Sequence, residues 1–130
     1  MKNLKNAAAS IMKQAYAPYS SYHVGAAIRT VAGNIYAGCN VENAAYPLGN
    51  CAESSAIAAM IAAGECEIAE VFVMTKGGKP GTPCGGCRQR LAEFADAQMQ
   101  VHCGLLTGET ITYTLGELLP HSFDLEQNKT

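Results

Sequence analysis

The stretch "CAESSAIAAMIAAG" at Cys51–Gly64 is followed by "IAEVFVMTK" at Ile68–Lys76, and the order of these two segments decides the fold. In the first, Ala56, Ile57, Met60 and Ile61 recur at helical spacing on one face, and Gly64 supplies a C-terminal stop. Its many alanines suit a helix packed closely against a sheet. The second segment is short, apolar and β-branched, the pattern of a buried strand. A helix feeding a buried strand points to a layered α/β domain.

Working outward, "HVGAAIRTVAGNIYAGCNVEN" (His23–Asn43) reads as two strands joined by a tight turn at Ala32–Asn34. Before it, Leu4, Ala8, Ile11, Met12 and Ala15 mark an amphipathic helix that ends before "APYS". Lys13 interrupts its apolar run, so it reads as the domain's first helix rather than a signal peptide. Downstream, "GGKPGTP" is a loop, and "CGGCRQRLAEFA" (Cys84–Ala95) is a third helix with Leu91, Phe94 and Ala95 facing inward. "MQVHCGLLT" and "ETITYT" form a strand pair joined at Thr107–Gly108, and "LGELLPHSF" is a helical turn and tail. The order α-β-β-α-β-α-β-β predicts a mixed five-stranded sheet covered on both faces, a three-layer α-β-α sandwich forming one domain over residues 1–130.

The 130 residues are 48% hydrophobic and 15% charged, enough for a full core. A net charge of −2 with scattered Lys and Arg offers no field for a nucleic-acid polymer. No apolar run reaches the roughly 18 residues of a membrane span, so a cytoplasmic protein without a membrane partner is expected. Six cysteines are too few for a disulfide scaffold in a chain of this length. Cys39, Cys66 and Cys103 read as small buried hydrophobes.

Cys84 and Cys87 stand at i and i+3 where a helix begins. Alone, such a pair fits a redox dithiol, half of a structural zinc site, or two of three ligands to a catalytic zinc. Cys51, at the start of another helix and two residues before Glu53, favours the third reading. A redox pair has no use for it. A closed structural site needs a fourth ligand, and His23, His102 and His121 are isolated. Three thiolates leave one zinc position for water, and Glu53 has the residue type and spacing to act as its general acid/base. Elsewhere, a glutamate in a first helical turn would simply complement the helix dipole.

"CAE" with "PCGGC", and around them "YAPYSSYHVGAAI", "GCNVENAAY", "PCGGCRQ" and "ELLPHSF", resemble in order and spacing the small homotetrameric cytidine deaminases. The resemblance covers nearly the whole chain. It implies one zinc per chain on Cys51, Cys84 and Cys87, proton transfer by Glu53, and a small nucleoside substrate. Asn40 and Glu42 would bind the ribose, Tyr22 would stack near the base, and the Ala52 N–H and Thr82 carbonyl would face the pyrimidine. Ala44, Tyr46 and Phe123 would reach the nucleoside of a neighbouring subunit in a homotetramer with shared active sites.

One position departs from the family. Arginine usually follows the glutamate, and here Ser54 does. Zinc with three thiolates carries a formal charge of −1, which opposes ionisation of its water. A serine hydroxyl only partly replaces a cation. Helix dipoles, and Arg88 as the nearest arginine to a ligand in the sequence, are the expected compensation. Rival readings are a deaminase of another free aminopyrimidine or of an N4-substituted cytidine, and a zinc-stabilised module without turnover.

Overall fold

The structure, a computed structural model, describes residues 1–125. The elements run α1 (Lys2–Met12), β1 (Gly25–Thr30), β2 (Ile35–Cys39), a 3-10 turn (Tyr46–Leu48), α2 (Ala52–Ala62), β3 (Ile68–Thr75), α3 (Gly85–Ala92), β4 (Gln100–Leu105), β5 (Thr110–Thr114) and α4 (Leu115–Leu118). The five strands form one sheet in the order β2-β1-β3-β4-β5. Only β3 and β4 run parallel, with Phe72 opposite His102 and Val73 opposite Cys103. The other pairs are antiparallel.

Alternation along the strands divides the core. Ala27, Phe72 and Met74 face α1 and pack on Leu4, Ala8 and Met12. Ala26, Ile28, Val71, Val73, Val101 and Cys103 face the opposite way, onto Ala56, Ile57 and Met60 of α2 and Leu91 of α3. The expected three-layer sandwich and mixed five-stranded sheet are both present.

Several local expectations change. α1 stops at Met12, and the chain turns before "APYS" because Lys13 and Gln14 are solvent-exposed and extend no apolar face. Ile61 is 45% exposed: α2 leans on β1 and β2 through Ala56, Ile57 and Met60, and Ile61 lies past that contact. α3 ends at Ala92, so Phe94 and Ala95 pack against the core from a loop. Cys103 is buried as read, but Cys39 is half-buried and Cys66 exposed. Cys39 stands at the end of the edge strand β2, and Cys66 lies in the connection after Gly64.

His102 lies in a polar chain across the sheet. Its Nε2 is 2.7 Å from Glu70 Oε2 and its Nδ1 2.8 Å from Thr112 Oγ1. Arg29 Nε donates to Glu70 Oε1 at 2.8 Å. The four residues sit side by side on β1, β3, β4 and β5, facing the same side as α1. Because His102 is buried, these partners satisfy polar atoms that water does not reach.

One glycine positions the functional end of the sandwich. A Cβ at Gly38 would stand 2.3 Å from the Ala56 backbone nitrogen and 2.7 Å from Ser55 Cβ. Only glycine lets α2 descend this far onto β2. Among the described residues, no helix is long and apolar enough to cross a membrane.

Candidate functional site

Cys51 and Cys84 occupy the N-cap positions of α2 and α3, with extended φ/ψ of −74°/158° and −66°/167°. Both helices therefore aim the unpaired N–H groups of their first turns, and the positive ends of their dipoles, toward the same place. Cys87 sits one turn into α3 and is fully buried. The three sulfurs lie within 4.8 Å of one another, and Cys51 Sγ is 4.0 Å from Cys84 Sγ.

The donor set fits a metal. A tetrahedral zinc with Zn–S bonds of about 2.3 Å needs sulfurs about 3.8 Å apart, so the cup requires little adjustment. Three soft sulfurs suit zinc, and an open fourth position is the mark of a catalytic site. Electrostatics point the same way. Burial pushes the Cys51 and Cys87 thiols up, and the neighbouring anions push them further. Burial also opposes ionisation of Cys84, but the Cys87 backbone N–H and hydrogen bonding with the Cys51 and Cys87 thiols hold it below its ordinary value. Three thiolates this close to one another repel, so together they need a cation between them.

Glu53 stands in the first turn of α2 and is 4% exposed. Burial raises its pKa; its own backbone N–H, the Cys87 thiol and the Arg90 charge pull against that. Such a carboxyl is balanced to accept and return a proton.

The cup opens into a cleft of about 360 Å³, within the range of small-ligand sites. Tyr22, Asn40, Glu42, Tyr46, Ala52 and Thr82 all line it, with Cys51, Glu53 and Cys84 at its floor. Backbone pairs between Tyr16, Val41 and Asn50 hold one wall together. Asn40 is anchored to that wall: its Oδ1 accepts from Val24 N at 2.9 Å and its Nδ2 donates to Tyr22 O at 2.8 Å. Glu42 Oε1 accepts from Tyr19 N at 3.0 Å and Ser20 N at 3.1 Å, while Oε2 accepts from Ser20 Oγ. Hydrogen bonding from the Ser20 hydroxyl is the main reason its pKa is lowered. Each side chain keeps unused capacity: one amide hydrogen on Asn40 and carboxylate lone pairs on Glu42. The Tyr22 hydroxyl lies over Gly81, where a Cβ would approach it to 2.9 Å.

The other expected residues lie outside this cleft. Ala44 is exposed on the loop before the 3-10 turn, and Ser54 is half-buried on α2. Phe123 is 63% exposed on the tail beyond α4. Gln89 of α3 brackets it, donating from Nε2 to Phe123 O and accepting at Oε1 from Phe123 N, both at 3.0 Å. Arg88 spends its donors on oxygens: Nε on Pro83 O at 2.8 Å, Nη1 on Leu118 O and Nη2 on Thr82 Oγ1, both at 2.9 Å. It braces the loop before Cys84 rather than touching a sulfur. The guanidinium that does touch one belongs to Arg90, whose Nη1 is 3.4 Å from Cys87 Sγ. Sequence reasoning missed Arg90 and Gln89. For Arg90 the i, i+3 spacing from Cys87 carried the signal.

Residues 1–103 match the family model for the cytidine and deoxycytidylate deaminase zinc-binding region. A cytidine deaminase of Sporosarcina psychrophila is 41% identical over 114 residues, spanning 88% of this chain and 84% of its own. One from Mycobacterium tuberculosis is 36% identical over 112 residues, spanning 86% and 80%. Among solved structures, a cytidine deaminase from Burkholderia pseudomallei superposes with a TM-score of 0.90 at 40% identity, covering 94% of this chain and 98% of that one.

Proposed function

The chain belongs to the cytidine and deoxycytidylate deaminase zinc-binding family, and from that premise we propose that it hydrolyses the C4 amino group of cytidine and deoxycytidine. The observation that carries this reading is a cluster of three cysteine sulfurs, two of them at the floor of a cleft that a buried carboxyl also lines. Water adds its oxygen at C4 and the amino nitrogen leaves as ammonia. Of the water's two hydrogens, one departs with the ammonia and the other ends on N3 of the uracil ring.

Cys51, Cys84 and Cys87 hold a zinc ion. When bound, zinc supplies a Lewis acid that lowers the pKa of water from 15.7 toward ~7. Glu53 takes one proton from the attacking water and delivers it to N3, then takes the second from the hydroxyl now on C4 and hands it to the leaving nitrogen. Positioned proton transfer of this kind contributes ~10²–10⁴-fold. Its burial among apolar groups and sulfurs keeps bulk water from competing for those protons.

Substrate binding falls to the cleft wall. Asn40 and Glu42 use their remaining hydrogen-bond capacity on the ribose, and the same side chains fix the wall they belong to. Tyr22 stacks near the base. The Ala52 N–H, free at the first position of α2, and the Thr82 carbonyl face the pyrimidine edge.

The shared-site homotetramer is supported by what the single chain leaves uncovered. Tyr46, at the cleft mouth, is 76% exposed, and Tyr16, Tyr19, Val41 and Leu48 are exposed nearby. A second copy covers them, and Ala44, Tyr46 and Phe123 reach its nucleoside. Free thiols at a metal cup also suit a reducing, cytoplasmic setting.

Ultraviolet detection of cytidine-to-uridine conversion by the purified, zinc-loaded protein tests the activity. A panel including free cytosine and N4-substituted cytidines sets its breadth. Zinc binding without conversion of any of them would overturn the reading in favour of a metal-stabilised module.

A further inference from the structure

We propose that Arg90 is the fixed counter-charge of the thiolate cup and governs how tightly the chain retains its zinc. The inference rests on the zinc reading above. In the loaded cup the three thiolates and the Glu53 carboxylate contribute four negative charges, against two positive on the metal. Cys87 is fully buried and Glu53 nearly so, so water screens little of the excess. Some other group must.

The geometry singles out one side chain. Arg90 Nη1 lies 3.4 Å from Cys87 Sγ, the one hydrogen bond between a cationic side chain and a ligand sulfur that the described residues make. It reaches back along α3 from i+3 to i, so the helix itself sets the distance. Gly86 leaves the room. A Cβ there would sit 3.3 Å from Arg90 Nη1 and 4.0 Å from Cys84 Sγ, so the guanidinium tip lies in the groove beside a second ligand as well. Arg90 is an exposed residue whose guanidinium nonetheless reaches a buried sulfur, as a long cationic side chain can. Arg88 is occupied by three oxygens, and Arg29 is paired with Glu70.

The sign of the effect follows from the charge change on loading. At neutral pH metal uptake releases the thiol protons and leaves a cup with net negative charge. A nearby cation therefore favours the loaded state. A hydrogen bond to a charged partner is worth about a factor of ten or more in an equilibrium.

The test is competitive zinc transfer from the loaded protein to a chromogenic chelator at neutral pH, with far-ultraviolet circular dichroism as the check on folding. Arg90→Met, which keeps the length and removes the charge, should weaken zinc retention about tenfold or more. Arg90→Lys should recover part of the loss, which a purely structural role for the guanidinium would not allow. Retention by Arg90→Met within twofold of the parent would overturn the proposal, as would an equal loss in both variants. A parent chain that takes up no zinc in the same titration would instead overturn the zinc reading, and this role with it.

Discussion

Gly38→Ala places one methyl group where the fold has no space, and its consequences reach the catalytic floor. The new Cβ would stand 2.3 Å from Ala56 N and 2.7 Å from both Ser55 C and Ser55 Cβ. Two of these are backbone atoms of α2, so no rotamer change relieves the clash. An ordinary contact of about 3.5 Å requires the helix to withdraw from β2 by roughly 1 Å. Overpacking of this kind costs about 1–3 kcal/mol, or roughly 4–12 °C in Tm for a domain of this length. Activity should suffer more than stability. Cys51 and Glu53 open the same helix, while Cys84 and Cys87 stand on α3, so the displacement pulls one ligand and the carboxyl away from the other two. A misplacement of about 1 Å can cost ~10²-fold in rate. The assay is kcat/KM for cytidine alongside zinc content and thermal unfolding. A folded Gly38→Ala protein with parental kcat/KM and full zinc would refute the view that the Gly38 contact seats the catalytic helix.

Glu53→Gln keeps the side-chain shape but cannot shuttle a proton. Zinc content should stay near parental while turnover drops by about 10²-fold or more, and activity above a tenth of the parent would sink the proton-transfer role. Phe123→Ala removes an already exposed ring, so the isolated chain should lose no more than about 0.5 kcal/mol. If Phe123 serves a neighbour's site, kcat/KM should nonetheless fall at least tenfold, and light scattering of the parent should give about four times 13.7 kDa; a fully active monomer would rule this out. Glu70 supplies the pH prediction. Burial raises its pKa, but His102 and Arg29 outweigh that and hold it below the usual carboxylate value. Its stabilising contribution is therefore present above the unfolded value of about 4.3 and is lost as pH falls through the lower folded one. Glu70→Gln should lower Tm by several degrees at neutral pH, with the gap closing in acid; a gap independent of pH between 3 and 7 would mean the carboxylate's charge is not what matters.

Much of this protein is local, and the local part was legible. Helix and strand types follow from the spacing of Leu4, Ala8 and Met12, from the Ala-rich face of α2, and from the apolar run of β3. Gly33, Gly64 and Gly108 adopt the positive φ their turn positions imply. Cysteines at two helix starts, one of them two residues before a glutamate, already carried the chemistry, because metal and acid/base roles depend on residue type at fixed short spacing.

Tertiary structure decided what depends on distant neighbours. Periodicity reports which face a side chain occupies, but not what the chain brings to that face. The parallel pairing of β3 with β4, which sets His102 beside Glu70, is long-range and has no local signature. Burial of a cysteine depends on whether another layer arrives above it, so Cys103 is covered while Cys66 is not. Along the chain Arg88, next to Cys87, looks the better placed of the two arginines, and Arg90 stands three residues beyond that cysteine. Only the packing of α3 against Pro83, Thr82 and Leu118 ties the first to oxygens, leaving the second to the sulfur. Asn40 and Glu42 show the same division: their presence was readable, but their anchoring to the 19–24 segment required the folded wall. Short-range spacing fixes which groups are available, and long-range packing fixes which of them meet.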